Sequence, residues 1–289
     1  MRFLVCLDGS PRSLDVLPHA VRLANAVGSE VVLTRVLDDR VDAARVITPD
    51  LESAVKQVEA AWQTDLDQRL AATGVPGRAV IVRREWSKEL ADAITALASA
   101  EDAAVIALSS RGSGALRHAI LGSVAMGVIS RSPVPVMATG TRVEAPAAGR
   151  GGYHLVITSD GSPDARSVFA GLRPLLDAGH VRVTLLEIAV PRQGESEAAA
   201  RWRATEDLSA LTSRLPAGVE AAVEVRVVPP GAGIDTAILA AVGDLGADAV
   251  AMATHGHSAR RHLVAGSTAL GVLGLAEIPV ILVKSRAVD

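Results

Sequence analysis

One stretch of this chain occurs twice. The first copy runs Ser109-Ser110-Arg111-Gly112-Ser113-Gly114-Ala115-Leu116-Arg117-His118-Ala119-Ile120-Leu121-Gly122-Ser123-Val124. The second runs Ala253-Thr254-His255-Gly256-His257-Ser258-Ala259-Arg260-Arg261-His262-Leu263-Val264-Ala265-Gly266-Ser267-Thr268. Each follows a short aliphatic run, Ala103 to Leu108 and Ala247 to Met252, that reads as a parallel strand buried on both faces. Each ends in a Gly-Ser pair that opens an apolar helical segment. A unit repeated in register forces the chain to fold as two like halves.

A second signal repeats with it. Phe3 to Leu7 is an apolar strand ending at Asp8-Gly9-Ser10, and Pro11 suits the first turn of a helix reaching about Val27. Tyr153 to Ser159 ends likewise at Asp160-Gly161-Ser162, with Pro163 behind it. Asp160 lies 152 positions after Asp8, while Gly256, Gly266 and Pro279 lie 144 after Gly112, Gly122 and Pro135. The eight-residue difference falls between strand one and the Gly loop, part of it in a shorter loop after the second strand of the later half.

Between these markers strands and helices alternate. Strands are expected at Val31 to Leu37, Ala79 to Val82 and Val134 to Ala138 in the first half. A polar stretch from Asp38 to Thr48 reads as a loop over a site. A long helix should follow to about Thr73, closed by Gly74, with a later helix capped by Ser87. The second half repeats the pattern through Val181 to Ile188, Val223 to Val228 and Val280 to Val283. Residues 140 to 152, with four glycines, several alanines and Pro146, have linker composition. The expectation is two α/β domains, 1–140 and 153–289, joined at 141–152, each a five-stranded, mainly parallel sheet flanked by helices. Right-handed crossovers place the strand C-termini, with Asp8, Asp160 and both Gly loops, along one edge of the sheet, where such folds bind ligands.

Composition agrees with this and removes several alternatives. A chain of 289 residues, 49% hydrophobic and 21% charged, can build two cores. A net charge of −3 gives no electrostatic case for nucleic acid or a membrane surface. Cys6 is the only cysteine, so no intrachain disulfide can form, and a reducing, cytoplasmic setting is expected. It reads as a packed, inert thiol. No signal peptide opens the chain, and no apolar run approaches the ~18 residues of a membrane span.

The repeated loop suggests an anion site. Gly112 and Gly256 can take positive φ and let backbone approach a ligand. The amides of Gly122-Ser123 and Gly266-Ser267 are expected to be unpaired donors at a helix N-terminus, where the dipole favours negative charge. The Ser hydroxyls there can cap the helix or contact a phosphate. The plainer alternative is a pair of Gly loops with ordinary Ser caps. Asp8 and Asp160 can be ligand residues or simply turn residues before glycine.

With these motifs in order and in duplicate, the chain resembles a tandem universal stress protein. The match rests on the two Asp-Gly-Ser-Pro segments, the two Gly-loop motifs, and the final strands around Pro133-Val134-Pro135-Val136 and Ile278-Pro279-Val280-Ile281. The resemblance implies a Rossmann-like fold of the adenine nucleotide alpha hydrolase type, with ATP bound in each half; Mg²⁺ can accompany the ATP phosphates, since phosphate and water hold most of that ion's ligands. Asp8 and Asp160 would then lie near the adenosine, with the backbones of Val36 and Ile188 at the adenine. The loops from Ser109, Arg111, Gly112 and Ser113, and from Ala253, His255, Gly256 and His257, would hold ribose and phosphates. Gly122, Ser123 and Val124, and Gly266, Ser267 and Thr268, would form the phosphate end. One departure stands out: the first motif glycine is Ser109 in one half and Ala253 in the other. The family also dimerises, often through strand five, a pairing that a tandem chain can make internally while a homodimer uses another surface.

Function divides into three classes. The first is a nucleotide-dependent regulatory protein of the stress response. The second is an enzyme in the same cleft, a slow ATP hydrolase or a pyrophosphatase-like protein. Against it, neither strand-one turn resembles a pyrophosphatase loop and no Gly-Lys-Ser/Thr follows either Gly loop, so no catalytic residue is assigned and any hydrolysis should be weak. The third is a dimerisation module with dead sites, which the retained Gly-Ser pairs argue against. His255, His257 and His262 lack the carboxylate or thiolate company of a zinc site, so no metal site is assigned. Arg117, Arg260 and Arg261 read equally as phosphate-side charges or solvated surface. Trp62, Trp86 and Trp202 read as packing residues.

Overall fold

Both Asp-Gly-Ser-Pro segments form the same turn. In this computed structural model, which describes residues 1–38, 42, 50–84, 88–111, 121–147, 152–254 and 266–284, Gly9 and Gly161 have φ of 81° and 74°, a region that glycine enters at little cost. The Asp8 and Asp160 carboxylates accept the amide N–H of Ser10 and Ser162 at 2.8 and 3.0 Å. Ser10 and Ser162 then cap a helical turn, accepting from the amides of Ser13 at 3.2 Å and Ala165 at 3.1 Å, with proline in the first turn of each.

The first half contains β1 (Arg2–Cys6), α1 (Leu17–Ala26), β2 (Glu30–Leu37), α2 (Leu51–Thr73), β3 (Gly77–Arg83), α3 (Leu90–Ala100), β4 (Ala103–Ser109), α4 (Ser123–Arg131) and β5 (Val136–Thr139). The second contains β6 (Tyr153–Thr158), α5 (Pro163–Asp177), β7 (Val181–Ala189), α6 (Glu197–Thr212), β8 (Ala221–Val227), α7 (Ile234–Leu245), β9 (Ala249–Ala253), α8 (Ser267–Leu275) and β10 (Val280–Val283). The expected helix from Pro11 is instead a 3₁₀ segment, Pro11–Val16, leading into α1. Pro18, in the first turn of α1, has no N–H to carry an α ladder through from the preceding turn. The cap of α3 is Glu89 in a reciprocal pair with Asp92, whereas Ser87 lies outside the described residues. Asp50 caps α2 through the Ser53 amide, and Gly74 closes it at φ 69°.

Among the described residues ten strands form one sheet, in the order β3-β2-β1-β4-β5-β10-β9-β6-β7-β8. Every pairing within a half is parallel. The halves meet through antiparallel β5 and β10, with Met137 opposite Ile281. This corrects one expectation. Within a half the strand C-termini share an edge, but the antiparallel junction reverses the second half, so Asp8 and Asp160 lie on opposite edges of the common sheet. The register also locates the length difference. Cys6 pairs with Thr34 and Thr158 with Leu186, 28 residues on in both cases. Arg35 pairs with Ile81, 46 residues on, whereas Glu187 pairs with Val225, 38 on. All eight extra residues therefore fall between β2 and β3, and α2, at 23 residues against 16 for α6, holds most of them.

Two apolar layers cover the sheet, and each draws on both halves. Phe3, Leu23 and Leu33 share one with Tyr153, Leu172 and Ile281. Ile106, Val128 and Val136 share the other with Val250, Leu273 and Leu282. Polar contacts reinforce the junction. Arg22 on α1 pairs with the largely buried Asp248 at 2.9 Å and lies over the Tyr153 ring. His19 donates from Nε2 to the Glu144 carbonyl at 2.8 Å, and the Glu144 amide donates to the Glu277 carbonyl at 2.8 Å. Part of the glycine-rich connection is therefore docked: Gly140 is buried, and a Cβ there would collide with the Leu273 carbonyl. Trp202, expected to pack, is instead 68% exposed on α6, and Trp86 lies outside the described residues.

Candidate functional site

The topology creates one crevice in each half. The helix after β1 lies on one face of the sheet and the helices after β3 and β4 on the other, so the chain diverges between the C-termini of β1 and β4. The same divergence recurs between β6 and β9. That switch point is where doubly wound sheets leave room for a ligand. Asp8 and Ser109 flank the first crevice, and Asp160 and Ala253 the second. The paired backbone of each strand turns alternate residues to the same side: the Thr34 carbonyl accepts from Leu7 N at 2.8 Å, and the Leu186 carbonyl from Ser159 N at 2.9 Å. Two residues further on, the backbones of Val36 and Ile188 face the same way, beyond the last residues of β1 and β6.

The far wall of each crevice is the start of α4 or α8, and the two are closely alike. Gly122 and Gly266 are the N-caps, with φ and ψ of −74° and 157°, and −65° and 158°. Neither cap has a side-chain hydrogen bond, so Ser123 and Ser267 are first-turn residues and not caps, which removes one of the two roles left open to them. Of the four amides expected to be unpaired, those of Gly122 and Gly266 are not. Gly122 N donates to the Ser110 carbonyl at 2.7 Å and Gly266 N to the Thr254 carbonyl at 2.6 Å. These bonds anchor each cap to the end of the neighbouring strand. The first intrahelical bonds are Met126 N to Gly122 O and Leu270 N to Gly266 O. The amides of the intervening first turn, beginning at the exposed Ser123 and Ser267, remain as donors at the positive end of the helix dipole. Val124 and Thr268, half-buried, begin the apolar side of that turn.

Both cap backbones are ordinary in φ, so space is the only constraint on a side chain there, and it is tight at Gly122 but not at Gly266. A Cβ on Gly122 would stand 3.3 Å from the Ser110 oxygen, and one on Gly266 3.5 Å from the Thr254 oxygen. Ser109, the departure from the motif, donates its hydroxyl to the Arg111 carbonyl at 3.0 Å, which folds the side chain onto its own loop. The Arg111 Nε is buried without a hydrogen-bond partner. Gly112, Ser113, His255, Gly256 and His257 lie outside the described residues, as do Arg117, Arg260, Arg261 and His262.

The side of each crevice opposite the helix start is where the halves part, and sequence reading missed it. Register makes Arg35 and Glu187 equivalent, each opposite the strand end that leads into the Asp-Gly turn. The Arg35 guanidinium lies against Gly9 and stacks on Trp62 at 3.4 Å. Glu187 is 5% exposed, and burial together with the Asp207 carboxylate pushes its pKa up to about 7. The offset of 152 that aligns Asp8 with Asp160 would have exposed this swap in the sequence. Burial lifts the Cys6 thiol to about 12, which leaves no thiolate for chemistry.

A cavity of about 770 Å³ opens elsewhere, bordered by Tyr153, His154, His180, Arg182, Glu220 and Asp248. It lies at the N-terminal ends of the second-half strands, away from Asp160 and Gly266. Among the described residues no group of three or more His, Cys, Asp or Glu is placed to hold a metal ion, and no helix is long and apolar enough to cross a membrane.

The fold and crevice define a doubly wound α/β protein whose ligand edge ends in a helix N-terminus, present twice. The universal stress protein family model matches residues 1–140 and again 154–284. The chain belongs to that family, with two copies of its domain. It is similar to a universal stress protein from Archaeoglobus fulgidus DSM 4304, with 20% identity, TM-score 0.68, and 99% of this chain and 98% of that one covered. A putative universal stress protein from Pseudomonas aeruginosa UCBPP-PA14 is 19% identical, with TM-score 0.61 and 98% and 92% covered. At these identities the likeness speaks for the fold. No curated protein matches the chain.

Proposed function

We propose that the chain is a nucleotide-dependent regulatory protein of the stress response, binding one adenine nucleotide, ATP with Mg²⁺, in each half. The observation that carries this reading is the matched pair of helix starts at Gly122 and Gly266, each locked to the neighbouring strand end and each presenting first-turn amides without a side-chain cap. Such a start favours phosphate. The phosphates belong there, and the nucleoside then extends across the crevice toward Asp8 and Val36, or Asp160 and Ile188. The Mg²⁺ needs no dedicated protein cage, because phosphate and water supply most of its ligands. No group in either crevice is assigned as base or nucleophile, so the reading is binding and not turnover. Family membership supports a cytoplasmic role and a homodimer built outside the β5–β10 junction.

The test is to denature freshly purified protein, then identify and count the released nucleotide by chromatography and mass spectrometry. About two ATP per chain are expected, with roughly one lost in Gly122→Asp and one in Gly266→Asp, each of which brings a carboxylate to a phosphate site. If nothing is released and Mg-ATP does not bind when added, the reading is wrong and a dimerisation module with dead sites takes its place.

A further inference from the structure

The two crevices offer opposite chemistry at the same position. In the first half, Arg35 on β2 lies against the turn glycine Gly9, with Trp62 of α2 stacked behind it. In the second half the residue in register is Glu187 on β7, and the group nearest the turn glycine Gly161 is the Asp207 carboxylate of α6, 3.6 Å from where a Cβ would stand. Asp160 completes three carboxylates around one turn. Arg203 of α6 faces Glu187, with its Nη1 3.9 Å from Glu187 Oε1 while its Nε bonds Glu195 at 3.1 Å. Val225, the register partner of Glu187 on β8, is apolar.

Glu187 is buried, and its Oε2 has no hydrogen-bond partner. An unmatched carboxylate oxygen in such a place is costly. A ligand that donates a hydrogen bond to it removes that cost, and a ligand that brings a second anion adds to it. The side of the crevice opposite the helix N-terminus is the nucleoside side, so what meets Glu187 is the base or the sugar and not the 5′-phosphates.

We propose that Glu187 sets the ligand preference of the second half: it accepts a hydrogen bond from the free hydroxyls of an adenine nucleotide's ribose and excludes a nucleotide phosphorylated there, whereas Arg35 admits the ribose phosphate in the first half. The inference rests on the nucleotide reading above. It makes the tandem repeat a pair of unlike receptors. Raised proton affinity at Glu187, from burial and from Asp207 and Asp160 against the opposing Arg203, gives the exclusion a pH dependence: repulsion of a ribose phosphate strengthens as the carboxyl ionises.

The experiment is calorimetric titration of the full chain with AMP, and separately with adenosine 2′,5′-bisphosphate and adenosine 3′,5′-bisphosphate, at pH 8. AMP is expected to fill both halves and the bisphosphates only the first. Glu187→Gln should open the second half to the bisphosphates, Glu187→Asp should keep it closed, and Arg35→Gln should weaken bisphosphate binding in the first half toward the affinity of AMP, whereas Arg35→Glu should abolish it. Bisphosphates filling both halves of the unaltered chain as tightly as AMP would overturn the inference and leave the nucleotide reading standing. A second half still closed to them in Glu187→Gln would do the same. Failure of AMP and ATP to bind at all would overturn both.

Discussion

The two ends of each crevice have fared differently in the duplication. The helix starts at Gly122 and Gly266 have nearly the same backbone angles and the same anchoring bond to the preceding strand end. The opposite ends differ in charge, with Arg35 on Trp62 in one half and Glu187 beside Asp207 in the other. The helix starts are made of main chain, whose N–H groups are the same for any residue but proline, so sequence drift leaves them intact. The other end is made of side chains, and one substitution inverts it.

The largest effect is expected where the two halves are joined and side chains have no freedom to drift. Gly140→Ala drives a methyl into the Leu273 carbonyl and should destabilise the chain by about 1–3 kcal/mol, read as a lower midpoint in urea. Glu187→Gln comes next. Its folded pKa, about 7, lies above the ordinary 4.5, so the folded state binds the proton more tightly and Glu187 costs stability as pH rises from 4.5 through 7. The variant should therefore gain over the parent across that window, by up to about 3 kcal/mol at neutral pH and above. Matching thermal melts at pH 4.5 and 8 check it, and an equal gain at both pH values would refute it.

His19 gives a smaller effect of opposite sense. Burial lowers its pKa from 6.5, so its contribution is complete above 6.5 and falls away on acidification. His19→Gln should flatten the pH dependence of stability below 6.5, measured by chemical denaturation. Ser109→Gly, which restores the motif glycine, should be smallest. It removes a hydroxyl bonded to its own loop and should change nucleotide affinity of the first half by less than about tenfold, or ~1.4 kcal/mol.

The repeat, the alternation of strands and helices, and the Asp-Gly-Ser-Pro turns were all legible in the sequence, because local rules govern them: a strand period, a positive-φ glycine, a capping serine and a proline in the first turn. The split of the first helix at Pro18 was legible in principle, since proline's missing N–H is visible in any sequence. The opposed edges were not, because a linear pattern does not say whether β5 meets β10 parallel or antiparallel. Nor did hydrophobic patterning show that Gly122 and Gly266 would spend their own amides on Ser110 and Thr254, a bond between segments whose approach only the fold fixes. Arg35 and Glu187 escaped because a charged residue near a strand end reads as solvated until a neighbouring helix covers it.

The antiparallel junction of β5 with β10 also governs how the two ligands would sense one another. Bound nucleotides carry several negative charges, and side by side they would repel. Facing away from each other on opposite flanks, with the sheet and its apolar layers between them and salt screening charges beyond about 8 Å, they would fill independently. Any message between the sites must then travel as a mechanical one, through the short strands at the seam.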